Sequence, residues 1–212
     1  MEVRRINVSA AFFLSIEFQE TGFLVHRLYK ASFAQPPRHL DEFLLDTRTI
    51  AQGLIANSPG WQQLLENNKT DLVREFVERA DFRNQYPLSL TPSEFVNLLN
   101  AKAGSPLAVN VLATAVAEFN GSTTSSETAA RARVLRLVAE SETFSQRELS
   151  PAFVLMQYFG YLQRNPSDPP DSNLVGYNFW LLKLNEFGGD FHRAQMVKSF
   201  LISGEYRSRF GL

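Results

Sequence analysis

Apolar residues along this chain recur at a helical step and not in strand-like alternation. Phe95, Leu98 and Leu99 form one stripe behind Thr91-Pro92-Ser93-Glu94, a capping box with proline at the first helical position. Val134, Leu135 and Val138 form a second stripe between residues 131 and 139. Asp190 precedes Phe191, Ala194, Val197 and Leu201, which predicts a capped amphipathic helix from 191 onward. Ser150-Pro151 reads as another start, carried on by Phe153, Met156, Phe159 and Tyr161. Helices stop at Gln35-Pro36-Pro37, Tyr86-Pro87, Ser105-Pro106 and Asn165-Pro166, because the residue before proline is pushed out of the α region. Polar loops fall at 121–126 and 167–173. The pattern predicts an all-α chain of short capped helices.

A seven-residue pattern recurs on top of this periodicity. It runs apolar residue, two spacers, Ser, one spacer, acid, aromatic. Phe12 to Phe18 fits it with Ser15 and Glu17, and Phe200 to Tyr206 fits it with Ser203 and Glu205. Phe76 to Phe82 has Arg79 in place of the serine, and Val138 to Phe144 keeps Ser141 with the acid shifted. Positions 15, 79, 141 and 203 are 64, 62 and 62 residues apart. Phe23 and Phe153 are each followed thirteen residues later by a proline, Pro36 and Pro166, and Phe95 eleven later by Pro106. Trp61 and Trp180 each precede a closing helix. The expectation is tandem helical modules sharing a near-continuous core: 23–86, a degenerate 87–144 and 145–212, preceded at 1–22 by the tail of a truncated module.

Composition narrows the function classes. The 212 residues carry 21 Lys plus Arg against 22 Asp plus Glu, a net charge of -1 with no basic footprint for nucleic acid or an anionic membrane. Absence of cysteine removes disulfides, thiolate metal sites and a Cys nucleophile. No run approaches the ~18 apolar residues of a spanning helix. Residues 10–14 are too short an apolar run for a secretory signal, so an address is expected only upstream, if at all.

Candidate chemistry is sparse. A Ser-x-Glu pair can be a nucleophile beside a base or a helix cap with an acid complementing the dipole. The Arg79 and Thr143 variants and the lack of a neighbouring histidine favour the cap. His26, His39 and His192 lie in separate segments, without metal-ligand spacing, and are expected as surface or partly packed residues. Asp168, Asp171 and Asn173 lack the glycine and terminal glutamate of a calcium loop and read as turn formers. Gly188-Gly189 is a loop, not a phosphate cradle. No catalytic residue, cofactor or metal is expected. Phe at such spacing reads as core, which leaves Tyr158, Tyr161, Tyr177 and Trp180, with polar tips, as the candidate interaction surface.

Leu162-Gln163-Arg164-Asn165-Pro166, then Asp168, Gly176, Phe179-Trp180 and Phe200-x-x-Ser203-x-Glu205-Tyr206, resembles a bacterial helical repeat domain of unknown function. That domain is distantly similar to the linker polypeptides of phycobilisomes. The first module keeps Tyr29, Pro36, Trp61, Phe76 and Phe82; the middle keeps Phe95, Gly104, Pro106, Ser141 and Phe144. The resemblance implies an extracellular or cell-envelope setting, inside larger proteins that also carry calcium-binding repeats or adhesion-like domains. It implies a structural or recognition role and no catalytic residues. The expected function is a non-enzymatic protein-interaction or scaffold module. A carbohydrate- or small-ligand-binding module with exposed Tyr and Trp is the alternative, and an enzyme is third. The expected partner is a protein or a polysaccharide.

Overall fold

The computed structural model describes residues 15–36, 39–171 and 173–211. All regular structure among them is helical. In chain order the helices are α1 (Ile16–Glu20), α2 (Gly22–Phe33), α3 (Leu40–Ala51), α4 (Trp61–Phe76), α5 (Ala80–Gln85), α6 (Pro92–Lys102), α7 (Val109–Ala117), α8 (Thr128–Ala139) and α9 (Glu142–Gln157). A π-helical turn, Tyr158–Leu162, follows α9, and then come α10 (Val175–Glu186), α11 (Met196–Ile202) and α12 (Gly204–Phe210). None of the described helices is long and apolar enough to cross a membrane.

The described residues fall into two compact units. The larger comprises 20–36 and 42–146, the smaller 15–19, 39–41, 147–171 and 173–211. The division at 146/147 lies two residues from the expected boundary at 144/145, whereas the expected boundary at 86/87 lies inside the larger unit. The tail module expected at 1–22 falls mostly outside the described residues.

In the larger unit α2 packs on α8 and α6, and α8 packs on α4. A chain of rings runs through this core from Tyr29 to Phe76 (centroids 5.1 Å), Phe82 (6.0 Å), Tyr86 (4.6 Å), Phe95 (5.6 Å) and Phe119 (5.8 Å). The chain crosses residue 86 without a break, so residues on both sides of it share one core. Each such pair contributes roughly 0.5–1.5 kcal/mol beyond simple burial. Two arginines are sealed in with the rings. Arg131 is fully buried over Phe95 and donates to the Tyr86 carbonyl (2.5 Å) and to the carbonyl and hydroxyl of Ser125 (both 3.1 Å). No carboxylate among the described residues pairs with it. Burial, with Arg83 nearby, pushes its pKa down to about 10. Arg27 lies over Phe23 and donates to the Ala139 carbonyl at 3.0 Å.

The seven-residue pattern marks a bend between consecutive helices. The N–H groups of Arg79, Ser141 and Ser203 each donate to the carbonyl three residues back, at 3.2, 3.3 and 3.2 Å. Each of these residues then accepts from the N–H four residues ahead, at 2.9, 2.9 and 3.1 Å, as does Ser15 at 3.0 Å. Backbone angles at Arg79 (φ -59°, ψ 145°) and Ser203 (φ -61°, ψ 147°) nearly coincide. The serine at 203 caps α12 by accepting from the Tyr206 N–H at 3.1 Å, and Ser15 accepts from the Phe18 N–H at 3.2 Å. At Arg79 the cap is gone. Its guanidinium instead grips Asp46 at 2.9 and 2.6 Å and the Tyr29 hydroxyl at 3.1 Å. The rest of the Phe12–Phe18 copy lies outside the described residues.

Local signals met different fates. The Thr91–Glu94 capping box is present in full. Ser150-Pro151 does not start a helix: Pro151 lies inside α9, where proline can only forgo one i→i−4 bond, and its carbonyl accepts from the Tyr177 hydroxyl at 3.0 Å. Asp190 accepts from the N–H groups of His192 and Arg193, both at 3.0 Å, yet caps only a turn. Gln195, left-handed at φ 51°, interrupts the chain, and α11 starts at Met196. Trp61 opens α4, whereas Trp180 sits in the middle of α10. His26 is fully buried in α2, not a surface or partly packed residue; His39 and His192 are exposed.

Truncating the central ring, Phe82→Ala, should cost about 3–5 kcal/mol of unfolding free energy. Thr91→Ala should cost about 1 kcal/mol, the value of one cap. Urea denaturation of both variants checks the pair, and a Phe82→Ala cost no larger than the cap's would refute the ring-chain core.

Candidate functional site

The site is built in the smaller unit around Arg164. The π-turn ends at Gln163, a left-handed residue (φ 46°) that turns the chain so that Arg164 points back over the Tyr158 ring, 5.2 Å from its centroid. Every N–H of this guanidinium has a protein acceptor. Nε and Nη2 reach the two oxygens of Glu205 at 2.6 and 3.0 Å, and Nη2 also reaches Asp171 at 2.7 Å. Nη1 donates to the carbonyls of Asn165 and Asp168, both at 3.0 Å. Burial opposes the charge, but the hydrogen bonds to Glu205 and Asp171 outweigh it and hold the pKa well above arginine's usual value. The remaining loop oxygens serve turns: Asp168 accepts from the Asn165 backbone N–H (2.9 Å) and Asn173 from that of Val175 (2.9 Å). Among the described residues no group of three or more His, Cys, Asp or Glu side chains is placed to hold a metal ion.

A cavity of about 260 Å³ opens beside this ion pair. Tyr158, Trp180 and Phe200 supply its rings, and Arg164, Asp171 and Glu205 its charges. Phe200 meets Tyr158 edge-on at 5.2 Å and lies 5.7 Å from Trp180. Gly176 leaves the floor bare, since a Cβ there would stand 2.7 Å from the Tyr158 hydroxyl.

Of the four residues singled out by type, Tyr158 and Trp180 line this cavity. Tyr158 is buried (3% exposed), not an open surface ring, and Trp180 is half-buried. Tyr161 is also half-buried and meets Tyr206 edge-on at 5.8 Å. Tyr177 is buried, its hydroxyl spent on Pro151, because α10 turns this ring inward. Two of the four are therefore anchors where exposed platforms were expected. Phe179 departs from expectation the other way: it is 55% exposed, not core.

Phe179 belongs to a second feature. Val175 (67% exposed) and Leu182 (62%) stand with it at i, i+4 and i+7 along the outer face of α10, while Tyr177 and Leu184 anchor the inner face. Asn178 is the exposed polar residue between them. Spacing alone contains this stripe, but a helix apolar on both faces hides which one turns outward.

No protein-family model, curated protein or solved structure matches the chain.

Burial raises the phenol pKa values of Tyr158 and Tyr161 to about 12, with Asp171 contributing at the first and Tyr206 at the second. The folded values exceed the ordinary value of 10, so the stability these neutral phenols contribute is complete below pH 10 and lost as pH climbs toward about 12. Alkaline titration of phenolate absorbance, wild type against Tyr161→Phe, should show the lost component near pH 12. A lost component near pH 10 would contradict the burial.

Proposed function

We propose that this chain is a non-enzymatic protein-interaction module of a larger, surface-associated bacterial protein, built on a recurring bent helix pair. The observation that carries this reading is the outer stripe of α10. Three large apolar side chains, each more than half exposed, repeat at the spacing by which one helix presents a ridge to another. Isolated exposed apolar residues need no explanation, whereas an aligned row on a helix pinned from behind by Tyr177 and Leu184 is a preformed contact face. The occupant that fits is an apolar helix face of a partner protein. The bacterial surface setting rests on the resemblance carried by Arg164, Gly176, Trp180, Ser203 and Glu205.

A photo-crosslinking residue placed at Phe179 or Leu182, in the cells that produce the chain, should give a discrete protein adduct, and one at the exposed Gln62 should not. Phe179→Glu should abolish the adduct formed from position 182 while leaving the circular dichroism unchanged. Equal labelling from all three positions, or no protein adduct from 179 and 182, would overturn the reading.

A further inference from the structure

Four tyrosines are buried among the described residues, and three have their hydroxyls bonded within the protein. Tyr29 donates to Asp46 at 3.1 Å, Tyr86 to the Ser32 carbonyl at 2.7 Å, and Tyr177 to the Pro151 carbonyl at 3.0 Å. Tyr158, as buried as these, bonds to no described residue and turns its hydroxyl to the cavity. The ring is buried but its hydroxyl opens to the cavity, where a ligand can reach it.

The comparison with Tyr29 is close. Both rings meet a phenylalanine of the seven-residue pattern edge-on, Tyr29 with Phe76 at 5.1 Å and Tyr158 with Phe200 at 5.2 Å. Both sit beside an arginine gripped by carboxylates, Arg79 in one case and Arg164 in the other. Around Tyr29 the hydroxyl, Asp46 and Arg79 close on one another. Around Tyr158 the arginine and its carboxylates still pair, but the hydroxyl bonds to none of them, and the bare Gly176 leaves space beside it.

We infer that the cavity bounded by Tyr158, Trp180, Phe200 and Asp171 is a binding site for a single neutral sugar ring. Charge decides against the alternatives. An anion finds no donor on Arg164, whose five N–H groups are all engaged. A cation finds little net field, because Arg164, with Arg209 at 3.7 Å from Glu205, balances Asp171 and Glu205. What remains is suited to hydroxyl groups on one edge and an apolar face. Carboxylate lone pairs accept from hydroxyls, the Tyr158 hydroxyl serves as both donor and acceptor, and the rings of Trp180 and Phe200 cover C–H surface. A pyranose carries both kinds of surface on one small ring. About 260 Å³ holds one such unit and not a chain of them. This site is distinct from the outer stripe of α10 and does not depend on its role.

The test is saturation-transfer NMR and calorimetry on the 212-residue chain with the methyl glycosides of glucose, galactose, mannose and N-acetylglucosamine, alongside butylammonium and inorganic phosphate. At least one glycoside should bind saturably and more tightly than either ion. Tyr158→Phe should weaken that binding about tenfold, the value of one hydrogen bond. Its melting temperature should match the wild type, since no protein hydrogen bond is lost. Binding of no glycoside, tighter binding of an ion, undiminished binding by Tyr158→Phe or a clear loss of its stability would each overturn the assignment.

Discussion

A guanidinium with no N–H left over organises the smaller unit. Arg164 leaves the π-turn, gathers the carbonyls of the loop that follows, and reaches across 41 residues of sequence to the first turn of α12. A single side chain thus fixes the loop, the ring of Tyr158 beneath it and the bend at Ser203. Such an arrangement stabilises only because it is complete. Removing one carboxylate leaves the buried guanidinium with N–H groups unmet, at a cost of about 1–3 kcal/mol. The cavity beside it is a consequence: the rings and carboxylates that hold the arginine also form its walls.

The larger unit shows the same chemistry distributed differently. At its first bend the serine is replaced by Arg79, and the cap it would have made is traded for a bidentate pair with Asp46 over the Phe76 ring. Backbone angles are retained because the bend needs only an extended residue between two helices, which either side chain tolerates. Arg131 goes further and relies on carbonyls, one hydroxyl and two aromatic faces in place of a carboxylate. Arginine suits this use, since its delocalised charge is weakly hydrated and stacks on rings.

Short-range chemistry was readable in the sequence and long-range chemistry was not. The box at Thr91–Glu94 closes within four residues, so the sequence contains all of it. Asp190 was legible as an acceptor, but the left-handed Gln195 that limits its helix carries no sequence signal of the glycine kind. Pro151 mimicked a start because Ser-Pro also fits mid-helix once packing outweighs one lost bond. Residue type brought Tyr158 and Trp180 to notice, yet their burial and their convergence on Asp171 and Glu205 depend on contacts 7 and 41 residues from Arg164. The exposure of Phe179 was hidden for a related reason: apolar residues on both sides of α10 give no inward direction.

The claim that one guanidinium ties the loop to the helix bend is open to a double-mutant cycle. Unfolding free energies of Arg164→Met, Glu205→Gln and the double variant give the coupling directly. A coupling of about 1 kcal/mol or more is predicted for a bidentate pair of a buried guanidinium and a half-buried carboxylate. Additivity within about 0.5 kcal/mol would show that the two residues act independently and would contradict the account.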